Sequence, residues 1–269
     1  DWSGMALDEK RGMVYIPTGS TTFDFYGGDR AGDNLYANCI LALKAETGER
    51  VWHYQVVRHD AWDRDLPSAP SLVTIQRNGK KVDAVAQTTK SGHVWVLDRD
   101  TGKSLFPVQE VPAPASDVEG EVLAKTQPLP LQPPPFARQE LTEENLTRRT
   151  PEAHAAALKR FRELKNGPQF TPPSRQGTIL LPGLDGAQSW GGNAFDPQTG
   201  LLYVNSNEQP WIIQLGEQKP RQRKVNAETL FGTQCAACHG KDMKGAPPDL
   251  PSLVGIASRK SALICKPVR

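Results

Sequence analysis

Short apolar runs separated by turn-forming clusters cover most of the chain, and one such pattern recurs four times. It reads Ala6-Leu-Asp-Glu-Lys-Arg-Gly-Met-Val-Tyr15, Ala42-Leu-Lys-Ala-Glu-Thr-Gly-Glu-Arg-Val-Trp52, Val96-Leu-Asp-Arg-Asp-Thr-Gly-Lys-Ser-Leu-Phe106 and Ala194-Phe-Asp-Pro-Gln-Thr-Gly-Leu-Leu-Tyr203. The apolar residues before each turn suit a buried strand, the polar residues and glycine supply a turn with positive φ, and an aromatic ends the returning strand. The turn glycines Gly12, Gly48, Gly102 and Gly200 are 36, 54 and 98 residues apart, so the last interval holds an insertion. A repeated blade-sized hairpin predicts an all-β chain built as a β-propeller, because a β-sandwich has no need to repeat one turn sequence. Residues 1–215 supply about four blades at about 40–50 residues each, and fewer once the insertion is removed, so the expected ring is partial.

The insertion runs from residue 107 to about 173 and carries prolines at 107, 112, 114, 128, 130, 133, 134 and 135. That density excludes the interior of a sheet and favours extended chain lying on the surface. Thr147 to Lys165 is rich in Ala, Leu, Glu, Lys and Arg, and Thr150-Pro-Glu-Ala reads as an N-cap followed by proline at the first helical position. One exposed helix is expected there, with His154 on its solvated surface.

Lys and Arg total 32 against 30 Asp and Glu, a net charge of +2, with the charges interspersed apart from the run Lys219-Pro-Arg-Gln-Arg-Lys224. Such a balance speaks against nucleic acid as a partner. No stretch approaches the roughly 18 apolar residues of a membrane helix. The chain starts at Asp1 with a strand-like pattern beginning a few residues later, so it reads as a fragment without its leader.

The most specific motif is Cys235-Ala-Ala-Cys238-His239, the signature of a covalently attached c-type haem. Two thiols add to the vinyl groups on one porphyrin edge, and the adjacent histidine meets the iron. A redox dithiol would want a βαβ context, and a zinc site a second ligand pair that Cys265 alone does not supply. The flanks resemble a small class I cytochrome c domain: Ala227-Glu-Thr-Leu-Phe231 as the helix packed on the haem, then His239-Gly-Lys-Asp-Met-Lys-Gly245 and Pro251-Ser-Leu-Val-Gly-Ile256. Met243 follows His239 too closely to reach the opposite face of the iron. Residues 222–269 are therefore expected to be a truncated α-helical cytochrome c segment whose sixth ligand is absent or supplied by another group.

A second cluster is His59-Asp-Ala-Trp-Asp-Arg-Asp65. Taken alone it suits a solvated loop. Together with the stretch Ala42 to Pro67, Thr88-Thr-Lys-Ser-Gly-His-Val-Trp-Val-Leu-Asp98 and Ser189-Trp-Gly-Gly192, it resembles the pyrroloquinoline quinone (PQQ) dehydrogenases, closest to their glucose-dehydrogenase-like branch. The resemblance spans nearly all of residues 1–210. It implies that Asp63 is the general base for the substrate hydroxyl and Lys90 the cation on the quinone oxygens, where the methanol-oxidising branch has Arg. It implies further that Trp2 stacks on the quinone ring, that Thr22 lies near it and that Trp190 is a pocket-wall candidate, although a core tryptophan would look the same. Calcium is implied too, with ligands mainly upstream of Asp1; Ser20 stands where the methanol branch has an asparagine ligand. Cys39 is expected to be a buried small hydrophobe.

Joined to the haem motif, the resemblance implies a periplasmic quinohaemoprotein that takes electrons from a sugar or alcohol and passes them through PQQ and haem c to a downstream acceptor. The competing reading is a quinone-free propeller scaffold fused to an electron-transfer cytochrome. A scaffold has no need for Asp63 and Lys90 together.

Overall fold

The computed structural model describes residues 1–217, 231–232, 235–246 and 252–254. The chain divides into two units, Asp1–Gly216 and Glu217–Arg269. The first is mostly β. Strands β1 (Ala6–Asp8), β2 (Met13–Pro17), β3 (Cys39–Lys44) and β4 (Arg50–Gln55) form one antiparallel sheet in that order, and β5 (Ser71–Arg77), β6 (Lys80–Thr88) and β7 (Val94–Asp98) form a second. Three two-stranded ladders follow: β8 (Val108–Pro112) with β9 (Thr126–Pro130), β10 (Thr178–Leu180) with β13 (Trp211–Ile213), and β11 (Asn193–Asp196) with β12 (Leu201–Val204). Among the described residues one blade has four strands, and the sheets do not close into a ring. The expectation of a partial propeller accords with this.

The repeated turn has a visible cause. Gly12, Gly48, Gly102 and Gly200 all take positive φ, between 62° and 73°, where a side chain would be strained. In the third copy Asp98 Oδ1 accepts from Thr101 N at 2.8 Å and Thr101 Oγ1 at 2.7 Å, and in the fourth Asp196 accepts from Gln198 N at 2.9 Å and Thr199 Oγ1 at 2.7 Å. The Asp and Thr of Asp-x-x-Thr-Gly thus close the turn with their own side chains. The third copy departs from the expected hairpin. Its return reduces to a single bridge, Leu97 to Ser104, just before the proline-rich chain begins.

The aromatics of the first two copies, Tyr15 and Trp52, face the core, whereas Tyr203 of the fourth is exposed. Tyr15 and Trp52 pack at 5.7 Å between ring centroids, and their polar atoms both donate to Arg99 O, at 3.0 and 3.1 Å. Buried aromatics need such partners. Ile40, Trp62, Leu66, Val85, Trp95, Leu97, Phe170 and Leu180 continue this core.

The insertion keeps its prolines out of any sheet interior: Pro112, Pro128 and Pro130 sit in the two-stranded β8–β9 ladder, where each strand is an edge. Helix α1 (Pro151–Arg162) starts as expected, with Thr150 Oγ1 accepting from Ala153 N at 3.1 Å and proline in its first turn. It has no buried residue, and His154 bonds Thr147 O at 3.0 Å.

Candidate active site

The candidate site forms where the chain leaves β4 and β6. After Gln55 it runs inward instead of turning back, so Val56, Val57, His59, Asp60, Ala61, Trp62, Arg64, Asp65 and Leu66 are all buried. The segment is thus not the solvated loop that its charges taken alone would suit. Trp62 is the anchor: it is fully buried, meets Phe170 edge-on at 5.3 Å and donates Nε1 to Thr171 O at 2.9 Å.

Asp60 organises the backbone. Its Oδ1 accepts from Trp62 N at 2.8 Å, and its Oδ2 accepts from Arg64 N at 2.6 Å, Asn38 Nδ2 at 2.7 Å and Ser20 Oγ at 2.5 Å. This Asx-type turn encloses Asp63, whose backbone is left-handed (φ 60°), and follows His59, which is left-handed too (φ 44°). A non-glycine residue in that region costs about 1–3 kcal/mol and persists only where its surroundings over-determine it.

Asp63 is thereby aimed at Lys90, which follows the end of β6. Lys90 Nζ donates to Asp63 Oδ2 at 2.9 Å and to Asp65 Oδ2 at 2.8 Å. Asp65 Oδ1 accepts from Ser20 N at 2.6 Å. Lys90 is held from behind as well. Its carbonyl accepts from Ala187 N at 2.9 Å, and Gly186 lies so close to the lysine stem that any Cβ there would overlap it.

The electrostatics separate the two carboxylates. Burial pushes Asp63 up to about 7; Lys90 works against that shift and Asp65 adds to it. Burial also opposes ionisation of Asp65, but the Lys90 ammonium and the Ser20 amide outweigh it and hold Asp65 below its ordinary value. For Lys90 burial disfavours the charge, and the two carboxylates more than offset this. The cluster thus holds one firmly ionised carboxylate, one cation and a second carboxylate poised near neutrality, the condition suited to a general base. Arg64 lies inside, donating Nη1 to Gly183 O at 3.2 Å, and burial pushes it down to about 10.

Trp2 is 55% exposed with Lys90 Nζ over its ring, 6.0 Å from the centroid, so a half-exposed indole borders the ion cluster. Thr22 is exposed on the loop that begins at Ser20. Trp190 is 79% exposed in this chain and lines a cavity of about 240 Å³ with Gly186, Gln188, Asn205 and Asn207. Cys39 is buried, and burial pushes its thiol up to about 12, as suits a small hydrophobe. Among the described residues no three His, Cys, Asp or Glu side chains converge as a metal site.

In the second unit, Cys235 precedes a one-turn helix, Ala236–His239, with His239 N donating to Cys235 O at 2.9 Å. The first cysteine and the histidine of the motif therefore share one turn, and the Cys235 thiol is free. Met243 is 42% exposed. The Cys238 side chain, most of the expected helix Ala227–Phe231 and Cys265 lie outside the described residues.

Sequence reading passed over three contributors: Asp65, Gly186 and the main-chain amide of Ser20. Asp65 carried a signal, since it is a second carboxylate only two positions from Asp63 in the same charged segment. Gly186 carried none, because its closeness to Lys90 exists only in the folded chain.

Relatives of known activity resemble this chain closely. The quinate/shikimate dehydrogenase (quinone) of Acinetobacter baylyi is 37% identical over 228 residues, 84% of this chain and 28% of that protein. The quinoprotein glucose dehydrogenase of Escherichia coli is 36% identical over 236 residues, 86% of this chain and 29% of that protein. The chain thus spans under a third of the length of these relatives. Among solved structures, the quinohemoprotein alcohol dehydrogenase of Comamonas testosteroni superposes with a TM-score of 0.51 at 26% identity, over 78% of this chain and 26% of that one. The family described as PQQ, glucose/ethanol/alcohol dehydrogenase, β-propeller domain matches residues 1–252, and this chain, with its repeated hairpins and its Asp63–Lys90–Asp65 cluster, belongs to it.

Proposed function

We propose that the protein to which this chain belongs is a PQQ-dependent dehydrogenase that oxidises the CH–OH group of a sugar or alcohol. The observation that carries this reading is Lys90 bridging Asp63 and Asp65 at 2.9 and 2.8 Å with its ammonium over the half-exposed ring of Trp2. These residues suit a flat, anionic quinone: a half-exposed indole, a buried cation, and glycines at 19 and 186 where a Cβ would crowd Asp65 and Lys90. When bound, PQQ supplies the hydride-accepting chemistry. The chain's own groups do the rest. Asp63 Oδ would take the substrate hydroxyl proton, Lys90 would stabilise negative charge developing on the bound quinone, Asp65 keeps Lys90 charged and aimed, and Trp2, Thr22 and Trp190 would flank the quinone.

Cys235 and Cys238 would hold a c-type haem and His239 its iron, a group that supplies one-electron transfer to a downstream acceptor. Haem attachment and the family together favour a periplasmic location. Calcium, if used, draws on ligands outside the described residues, and no step is assigned to it.

The test uses the full-length protein with PQQ and Ca²⁺ and a panel of sugars and alcohols, following the haem absorption bands. One substrate class should reduce the haem. Asp63→Asn should lower kcat by about 10²–10⁴-fold while leaving the fold intact, the size expected for loss of a general base. Full activity in that variant would overturn the assignment of Asp63. No turnover of any substrate by the wild type would favour the scaffold reading.

A further inference from the structure

We propose that Glu121, carried by the proline-rich insertion, is a positioning residue that clamps the loop 23–34 onto His59 and so fixes the segment presenting Asp63 to Lys90. The catalytic consequence rests on the dehydrogenase reading; the clamp does not.

Glu121 lies on the connection between β8 and β9, far in sequence from the site, beside the exposed residues Glu119 and Gly120. Its side chain is nevertheless only 4% exposed. A carboxylate is buried to that extent only where partners compensate its lost hydration. Both oxygens have one: Oε1 meets His59 Nε2 at 2.9 Å, and Oε2 accepts the Gly27 N–H. His59 in turn bonds Gly32 O through Nδ1 at 2.7 Å, and its own N–H donates to Asp33 O at 3.1 Å. One imidazole therefore ties the insertion, the loop and the first residue of the 59–65 segment together, from a backbone already held at positive φ.

The surfaces are built for this approach. A Cβ at Gly27 would overlap His59 Nε2 and press on Glu121 Oε1, so glycine alone lets the three meet. Tyr26 Oη donates to Glu119 O at 3.0 Å, and a Cβ at Gly120 would strike that same hydroxyl. Arg30 Nη2 donates to Phe23 O at 2.9 Å and Asp60 O at 2.8 Å. The loop is also rooted in the site. Before it, Ser20 bonds Asp65 and Asp60, and after it, Asn38 bonds Asp60 at 2.7 Å and Arg64 O at 2.9 Å. Displacing the loop would shift Asp60 and Asp65, and with them the Asp63–Lys90 geometry. Misplacement by about 1 Å is enough to cost about 10²-fold in rate.

The experiment compares full-length wild type with Glu121→Ala and Glu121→Gln by amide hydrogen exchange and steady-state kinetics in the presence of PQQ. Glu121→Ala should speed exchange at 24–34 and 59–65 at least tenfold, with β2, β3 and β6 unchanged. It should lower kcat at least tenfold with KM within threefold. Glu121→Gln keeps the shape and one acceptor, should fall between, and stands in if the alanine variant does not fold. A role exercised through His59 further requires that His59→Asn with Glu121→Gln be no slower than His59→Asn alone. Wild-type exchange in these segments, or altered exchange with kcat within twofold of wild type, would overturn the proposal. A wild type that oxidises no sugar or alcohol defeats the dehydrogenase reading instead, and the exchange result still decides the clamp.

Discussion

The two ends of strand β6 carry similar charged groups in opposite states. Near its start, Asp83 belongs to a network in which Arg11 reaches Asp8 at 3.1 Å, Asp83 at 3.0 Å and Asp100 at 2.8 Å, while Arg99 bonds Asp8 at 3.0 Å. Arg99 also donates to Val73 O and Ala84 O. Asp8 is held below its usual value, burial opposing ionisation but the hydrogen bonds from Arg99 and Arg11 outweighing it; for Asp83 the Thr74 hydroxyl leads and Arg11 adds. Just past its other end, one lysine faces two carboxylates, Asp63 rises to about 7, and backbone strain is concentrated at His59 and Asp63. The first network joins the first sheet to the second, two arginines against three aspartates, with no left-handed residue among the five. The second holds a carboxylate that would be more comfortable protonated. Strain and shifted ionisation, rather than the number of charges, separate a candidate catalytic cluster from a structural one.

Three perturbations test this contrast. The largest effect on stability should come from Arg99→Ala, which strips the buried partner from Asp8; breaking a buried pair in this way costs about 3–5 kcal/mol. A melting curve would reveal it, with kcat at permissive temperature close to wild type. A loss of turnover without a loss of stability would mean that the two ends of β6 are not separate.

Next comes pH. Asp63 acts in its ionised form, so kcat/KM should rise about tenfold per unit as pH climbs toward 7 and level off above it. Its contribution to stability runs the other way. Because its folded value is raised from 3.8 to about 7, the stabilisation it gives is complete below 3.8 and lost as pH rises through about 7. Asp65 has the opposite sign, since its lowered value gives stability that is lost as pH falls through it. Asp63→Asn should therefore melt no lower than wild type at pH 8. A rate profile flat between pH 5 and 8 would remove Asp63 as the base.

The smallest effect should be that of Arg11→Ala. Arg11 is 23% exposed and two of its partners more so, and partly solvated ion pairs are each worth about 0.2–1 kcal/mol, so a loss of about 1–2 kcal/mol is expected by denaturant titration.

The hairpin pattern was legible before any folding because its determinants are local. Asp98 with Thr101, Asp196 with Thr199 and the positive-φ glycines all act within one turn, and the same holds for Thr150 capping α1. Asp63 and Lys90 were legible through resemblance, being 27 residues apart with nothing in the spacing to join them. The segment 59–65 could not be told from a solvated loop, since its burial depends on Trp62 finding Phe170 and Thr171 more than a hundred residues later. For Trp190 the sequence left a pocket wall and a core position equally open, because an isolated tryptophan does not show which way it faces.

By itself, then, the sequence determined what is local: the repeated turns, the exposed helix and the placement of proline at sheet edges. Tertiary structure decided the rest: the pairing of Lys90 with Asp65, the closeness of Gly186, the burial that lifts Asp63, and the reach of Glu121 to His59. Desolvation and charge pairing act through space, between groups the chain order keeps apart, and only the folded chain sets those distances.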